Sequence, residues 1–339
     1  MPIYLKDIAR MANVSTATVS RVINDKALGN MKEETCAKVK RIIEETGYTP
    51  HALASGLRTG MTKVIGVIFP SNVNPYYAQL GKAIEDESYH NGYLTLVCNS
   101  NYEVGREKDY VRHLTSQRVS GILLCSTGLK GGEIRDMVPK NIKVILLDEE
   151  LPDFDGEIVI GDDFAGGYTG ARYLHGLGHE KILVVTGPEM LSSSQTRLKG
   201  FLKFFEEKEI SFYEGRLIQS DYTLESAYGC VLGAIDRGVR FSAVFTFNDL
   251  MAIGTIKALN ERSYKVPEDV SVLGYDNIFI DDLVRPGITT VATPLEELGK
   301  LAARKLFQPV GVTRQGRSKT LLEPKLILRG SCMQCGHSK

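Results

Sequence analysis

The chain runs to 339 residues, 43% of them hydrophobic and 24% charged, with 41 basic residues balancing 41 acidic ones. This length points to two or three domains, and the composition is ordinary for a soluble globular protein. There is no run of about 18 apolar residues to span a membrane and no apolar signal-peptide core in residues 1–10, so a cytoplasmic protein is expected. The six cysteines (36, 98, 125, 230, 332 and 335) are too scattered and too few for a disulfide scaffold.

The zero net charge conceals an asymmetry. Residues 1–60 hold nine Lys or Arg against six Asp or Glu, a net charge of +3, and the remainder carries −3. A basic head on an acidic body fits a local contact with DNA.

The first predicted element is a helix over 5–12 with Leu5, Ile8, Ala9 and Ala12 on one face. Asn13, Val14 and Ser15 break it, since Asn tolerates positive φ and Ser15 is a good N-cap. A second helix over 16–24 turns Val19, Val22 and Ile23 inward, with small Ala9 at the crossing. This is the helix-turn-helix pattern, whose second helix enters the major groove. A helical hairpin with no DNA role explains the apolar positions equally well. It does not explain an exposed face of Thr16, Thr18, Ser20, Arg21 and Asn24, all able to bond bases or phosphates. A third helix, about 32–46, packs Val39, Ile42 and Ile43 against the pair and ends at Gly47. Residues 50–58 then predict a two-turn hinge helix, weak by itself because of Gly56 and nearby Gly60. A plain linker is the alternative.

From 63 to 330, apolar runs alternate with amphipathic segments. Strands are predicted at 64–69, 94–98, 121–125, 144–147, 182–186, 243–246 and 270–274. Helices are predicted at 76–91, 106–117, 164–177, 197–208, 224–237 and 249–261. Buried strands with helical crossovers predict the α/β class, doubly wound parallel sheets covered by helices, and the doubled length predicts two such lobes. Ligands of open parallel sheets bind beyond the carboxyl ends of the strands. There, Asp148, Arg197, Asn248 and Asp276 could bond hydroxyls, and Tyr76 and Tyr77 could stack on a sugar face. Each has a plainer alternative: Asn248 caps its helix, Asp276 ends a strand in a turn, and Arg197 is a surface residue starting its helix.

Near the end, Cys332, Cys335 and His337 supply only three of the four ligands zinc needs, so a disordered tail is expected and no metal. The serines at 192–194 lack the Gly-x-Ser-x-Gly elbow, and the glycine-rich stretch at 128–132 lacks phosphate-loop spacing and reads as a turn. No catalytic residue, no cofactor and no enzyme activity are expected.

The string Leu5-Lys-Asp-Ile-Ala…Val14-Ser-Thr-Ala-Thr-Val-Ser-Arg-Val-Ile-Asn24, followed by Gly47-Tyr-Thr-Pro50, resembles the head of the lactose/galactose-repressor (LacI/GalR) family. Gly187-Pro188…Arg197-Leu-Lys-Gly-Phe201, Phe247-Asn-Asp-Leu-Met-Ala-Ile-Gly254, Gly274-Tyr-Asp-Asn277 and Pro286-Gly-Ile-Thr-Thr290 look like later landmarks of the same repressors. The resemblance implies a helix-turn-helix head over 1–46, a hinge over 47–62 and a periplasmic-binding-protein type I body over 63–330. Lobe 1 would span about 63–161 and 292–322, lobe 2 about 162–291 and 323–330, with three crossovers between them and a tail at 331–339.

By that resemblance Thr16, Ala17 and Arg21 read bases, Ala17 offering only an apolar surface to a thymine methyl, and Tyr4, Lys6, Asn24 and Lys32 meet phosphates. Leu57 would pry apart a base step in the minor groove, with His51 beside it where the family often has Asn. Asn13 stands where the family commonly has Gly, and Ser55 where it often has Arg. Arg197, Asn248 and Asp276 match effector positions, Asp148 is a fourth, and Asn74, Tyr76 and Tyr77 lie in a loop of variable contacts. The implied protein is a sequence-specific DNA-binding transcription regulator, a repressor of carbohydrate-metabolism genes. It would bind operator DNA as a homodimer on the nucleoid and answer to a sugar or sugar-phosphate effector. Two rivals are a regulator driven by a phosphoprotein corepressor and a sugar-binding transport component with the same body.

Overall fold

The computed structural model describes residues 3–23, 31–48, 62–308 and 316–336. The chain divides into two compact units, Met1–Thr62 and Lys63–Lys339. Asn24, His51 and Leu57, like most of the expected hinge, lie outside the described residues.

The first unit holds α1 (Leu5–Ala12), α2 (Thr16–Ile23) and α3 (Glu33–Thr46). Asn13 ends α1 in the left-handed region at φ 56°, as the turn requires. The Ser15 hydroxyl accepts the Thr18 N–H at 3.1 Å and so caps α2. Ile8, Ala9, Ala12, Val19, Val22, Val39 and Ile42 form the buried core, with Val14, Ile23 and Ile43 half-buried against it. Gly47, at φ 62°, closes α3.

The second unit begins with β1 (Val64–Phe69), α4 (Pro75–His90), β2 (Leu94–Asn99), α5 (Val104–Ser116), β3 (Gly121–Leu124), α6 (Gly131–Met137), β4 (Lys143–Leu147) and β5 (Glu157–Gly161). It continues through α7 (Asp163–Gly176), β6 (Ile182–Thr186), α8 (Ser192–Glu207), β7 (Leu217–Gln219), α9 (Leu224–Asp236), β8 (Ala243–Thr246), α10 (Asp249–Glu261), β9 (Ser271–Asp276) and β10 (Thr289–Ala292). It closes with α11 (Leu295–Phe307), β11 (Ser318–Leu322) and β12 (Lys325–Ile327).

Two six-stranded sheets result. Lobe 1 has the order β11-β5-β4-β3-β1-β2, all parallel; lobe 2 has β12-β10-β9-β8-β6-β7, parallel except for β12. The chain crosses between the sheets three times: after β5, after β10 and after β11. Central strands β3, β6, β8 and β9 are buried along their whole length, which is why their middles read as short apolar runs in place of an alternating pattern. No described helix is long and apolar enough to cross a membrane.

Several segments differ from expectation. The helix carrying Arg197 begins at Ser192, so Arg197 does not start it but sits in its second turn. Gly131 and Gly132 are not a plain turn: they open α6, where their N–H groups donate to the Asp153 carboxylate at 2.9 and 3.1 Å. Residues 331–336 are packed on lobe 2 in place of the expected disordered tail. His179, itself buried, bonds the Met333 carbonyl at 3.1 Å, and the Cys335 N–H donates to the Leu177 carbonyl at 2.7 Å.

Candidate functional site

In the first unit α2 presents Thr16, Ala17 and Arg21 to solvent, while Thr18 and Ser20 are half-buried. Thr18 shares a hydroxyl contact of 2.9 Å with Ser15. Tyr4 and Lys6 are exposed at the start of α1, and the Lys6 ammonium lies 5.6 Å from the Tyr4 ring. Lys32 is exposed at the N-cap of α3. With 16 and 20, and 17 and 21, one helical turn apart, the face offers two adjacent rows of groups able to reach base edges.

The second unit contains a cavity lined from both lobes by Asn74, Tyr76, Tyr77, Tyr102, Asp148, Ser193, Arg197, Tyr222, Phe247, Asn248 and Asp276. All seven residues singled out from the sequence for ligand contact meet here. The topology explains the convergence: the N-terminus of α4 and the loop after β4 belong to lobe 1. The loop after β8 and the end of β9 belong to lobe 2, and both sheets point their carboxyl ends at the space between.

On the lobe 1 side, the Asp148 carboxylate accepts the Tyr76 hydroxyl at 2.6 Å and the Tyr77 hydroxyl at 2.9 Å. The two tyrosines are therefore not free stacking platforms; their rings stand edge to face at 5.0 Å, and Tyr77 packs on Phe69. Asn74 caps α4, its side chain accepting the Tyr76 N–H at 3.0 Å. Burial raises the Asp148 carboxyl above its ordinary value, while the two tyrosine hydroxyls pull it back.

On the lobe 2 side, Arg197 is almost fully buried. Its guanidinium lies 3.5 Å from the Tyr275 ring centroid and donates through Nε (3.0 Å) and Nη2 (2.6 Å) to one oxygen of Asp163, and through Nη1 to the Phe247 carbonyl. The surface-residue reading of Arg197 is overturned. This geometry depends on α7 crossing α8 closely: a Cβ on Gly167 would stand 1.9 Å from the Arg197 carbonyl oxygen, and one on Gly200 2.0 Å from that of Phe164. Only glycine fits at either position.

Asn248 does cap α10, accepting the Met251 N–H at 2.8 Å, and it also donates to the Tyr222 carbonyl at 2.9 Å. One amide hydrogen remains for a ligand. Asp276 ends β9 at φ 107° and is buried. Among the described residues no group donates a hydrogen bond to its carboxyl, whose titration is pushed well up by burial despite nearby Arg197. A buried acceptor facing a polar cavity without a partner is a place for a ligand donor.

Sequence reasoning missed Tyr102, Ser193, Tyr222 and Phe247 in the lining, and the supporting Asp163, Glu149 and Tyr275. Four lining residues, Tyr102, Asp148, Tyr222 and Asp276, have positive φ, and such backbone gathers at binding sites. The free volume is about 30 Å³, room for about two waters, so a sugar-sized ligand requires the cavity to widen. Among the described residues no group of three His, Cys, Asp or Glu could hold a metal ion; His337 lies outside them.

Comparison with known proteins agrees with both units. Residues 4–51 match the model of bacterial regulatory proteins, lacI family, and residues 171–332 that of a periplasmic binding protein-like domain. The HTH-type transcriptional repressor PurR of Proteus mirabilis is 35% identical over 330 residues, covering 96% of each chain. The structure of the lac repressor dimer bound to operator and the anti-inducer ONPF is similar at a TM-score of 0.88 with 26% identity, over 98% of this chain and 100% of that one. A LacI family transcriptional regulator from Enterococcus faecalis V583, with bound ribose, is similar at a TM-score of 0.72 with 31% identity, over 80% of this chain and 100% of that one. With a helix-turn-helix head, a two-lobed body and 35% identity to such a regulator over 96% of its length, this chain belongs to the lacI family of bacterial regulatory proteins.

Proposed function

We propose that the protein is a repressor that binds a near-palindromic operator as a homodimer and is switched by a small polyhydroxyl effector, a sugar, in the cavity between its lobes. The observation that carries the effector reading is the pairing of unpartnered Asp276 with Arg197. A hydroxyl pair on one ligand could donate to the first and accept from the guanidinium N–H groups that remain unused. Asp148, Asn74, Tyr76, Tyr77 and Asn248 would complete the site.

DNA contact is assigned to Thr16, Ala17, Thr18, Ser20 and Arg21 on α2, together with Tyr4, Lys6, Asn24 and Lys32. His51 and Leu57 are assigned to the minor groove. A second copy of the chain suits a two-fold operator. Exposed large apolar side chains support self-association: Tyr89 on α4, Leu94 and Val97 on the edge strand β2 of lobe 1, and Phe279 and Leu283 on lobe 2. Because the cavity is lined from both lobes, a ligand that holds them at a different separation has a differential affinity for the two states, which is what a switch requires.

The test is calorimetric titration of the full chain with free pentoses and hexoses, and with nucleobases as the non-sugar arm. Saturable binding of a sugar, lost in Asp276→Asn, supports the reading. Binding of a nucleobase in place of every sugar would overturn it.

A further inference from the structure

The N-terminus of α8 opens onto the cavity. Its N-cap, Leu191, has no side chain to satisfy the first N–H groups, so this helix end is a natural anion-binding place. The chain fills it with its own Glu149, carried on the lobe 1 loop that follows β4. Glu149 accepts the Ser192 hydroxyl at 2.6 Å and the Ser193 N–H at 3.1 Å, and bonds the Ser193 hydroxyl as well. Ser193 itself lines the cavity, and its N–H and hydroxyl, with the Ser192 hydroxyl, are already taken by Glu149.

The other titratable groups of the site point the same way. Asp148 and Asp276 line the cavity, and Glu149 and Asp163 flank it. Among the described lining residues the one basic side chain is Arg197, and Asp163 already balances it at 2.6 Å. A ligand phosphate or carboxylate would enter among four carboxyl groups and find no uncommitted cation.

We propose that the cavity accepts a polyhydroxyl ligand bearing no phosphate or carboxylate, and that Glu149 is the specificity-determining residue that shuts anionic ligands out. This rests on the reading of the cavity as the effector site. The hydroxyl-rich ligand supplies donors to Asp276 and Asp148, while Glu149 keeps the α8 terminus closed to acceptors.

Inorganic phosphate tests the exclusion without knowledge of the effector. At about pH 9, above the Glu149 titration near 8 so that the wild-type carboxyl is ionised, the full-length protein, Glu149→Ala and Glu149→Gln are titrated with phosphate by calorimetry, with chloride of equal ionic strength as the control. The wild type is expected to show no saturable phosphate binding, and the folded variants to gain it, tighter than wild type by about tenfold or more. A parallel arm compares ribose with ribose 5-phosphate and glucose with glucose 6-phosphate, each phosphate expected to bind at least about 100-fold more weakly than its parent sugar. Saturable phosphate uptake by the wild type, or a sugar phosphate matching its parent, overturns the proposal. So do folded variants that gain no phosphate affinity; if Glu149→Ala fails to fold, the nearly isosteric Glu149→Gln and the wild-type arm still decide. Silence of every free sugar, with the phosphate arms as expected, sinks the sugar reading above while supporting the exclusion by Glu149.

Discussion

Arg197 and Asp163 form a buried ion pair in which two guanidinium nitrogens share a single carboxylate oxygen at 3.0 and 2.6 Å, both side chains being less than a tenth exposed. The pair fixes the guanidinium over Tyr275 and aims its remaining N–H groups at the cavity. Removing one member of such a pair leaves an uncompensated buried charge. Asp163→Ala is therefore expected to destabilise the body by about 3–5 kcal/mol, measured by urea denaturation. Loss of less than about 1 kcal/mol, the range of exposed pairs, would contradict this placement.

The helix crossing beneath that pair gives a second prediction. Gly167→Ala puts a methyl where the Arg197 carbonyl oxygen stands, so α7 and α8 must separate. We expect a loss of about 1–3 kcal/mol, with weakened ligand binding because Arg197 and Asp163 move together. An unchanged denaturation midpoint would show that the crossing is looser than described.

A third concerns pH. Burial, with Asp148 beside it, pushes the Glu149 carboxyl up to about 8 from an ordinary 4.5, while Ser192 and Ser193 oppose the shift. The folded protein thus holds this proton more tightly than the unfolded chain does. The stability from this group is complete below about pH 4.5 and lost as pH rises through about 8. Buried Asp249, at about 6, and Asp281, at about 10, act with the same sign. Thermal midpoints of wild type should fall across this window, and those of Glu149→Gln should fall less steeply. Parallel slopes would remove Glu149 as a contributor.

In the head, exposed Arg21 supports nothing in the core. Arg21→Ala should leave helix content unchanged and cost about 1–3 kcal/mol of specific DNA affinity. Lys32→Ala should weaken binding uniformly across sequences and lower the salt slope by about one. Leu57→Ala should weaken specific binding while sparing the salt-sensitive nonspecific mode. Equal losses in both modes would argue against a minor-groove role for Leu57.

The elements legible in the sequence are those whose burial is periodic or complete. β1, β6, β8 and α10 have the predicted limits because a fully buried strand or a strongly capped helix announces itself in its residues. β5, β7, α6 and the elements after β9 were not read, being short, partly exposed or paired with distant chain. Six of the seven expected cavity residues sit at strand ends or helix starts, where sheet topology and resemblance both direct attention, and Arg197 sits in the second turn of α8. Tyr102, Ser193 and Tyr222 lie in loops or at a helix start whose approach to the cavity is set by tertiary packing alone. In the sequence Ser192 and Ser193 read only as candidate nucleophiles, and nothing local pairs them with Glu149, over forty residues away. The segment 331–336 has no periodicity of its own; buried His179 and Ser271, 154 and 62 residues before Met333, hold it.

The central claim is that cavity and operator are coupled. Duplexes selected by the full-length protein from a random pool supply the operator. Its affinity, read by fluorescence anisotropy, is then followed as a free sugar that binds the cavity is added. A two-fold symmetric duplex whose affinity shifts at least about fivefold with the sugar, and does not shift in Asp276→Asn, is the result expected. Operator affinity that stays constant while the sugar saturates the protein would contradict the account.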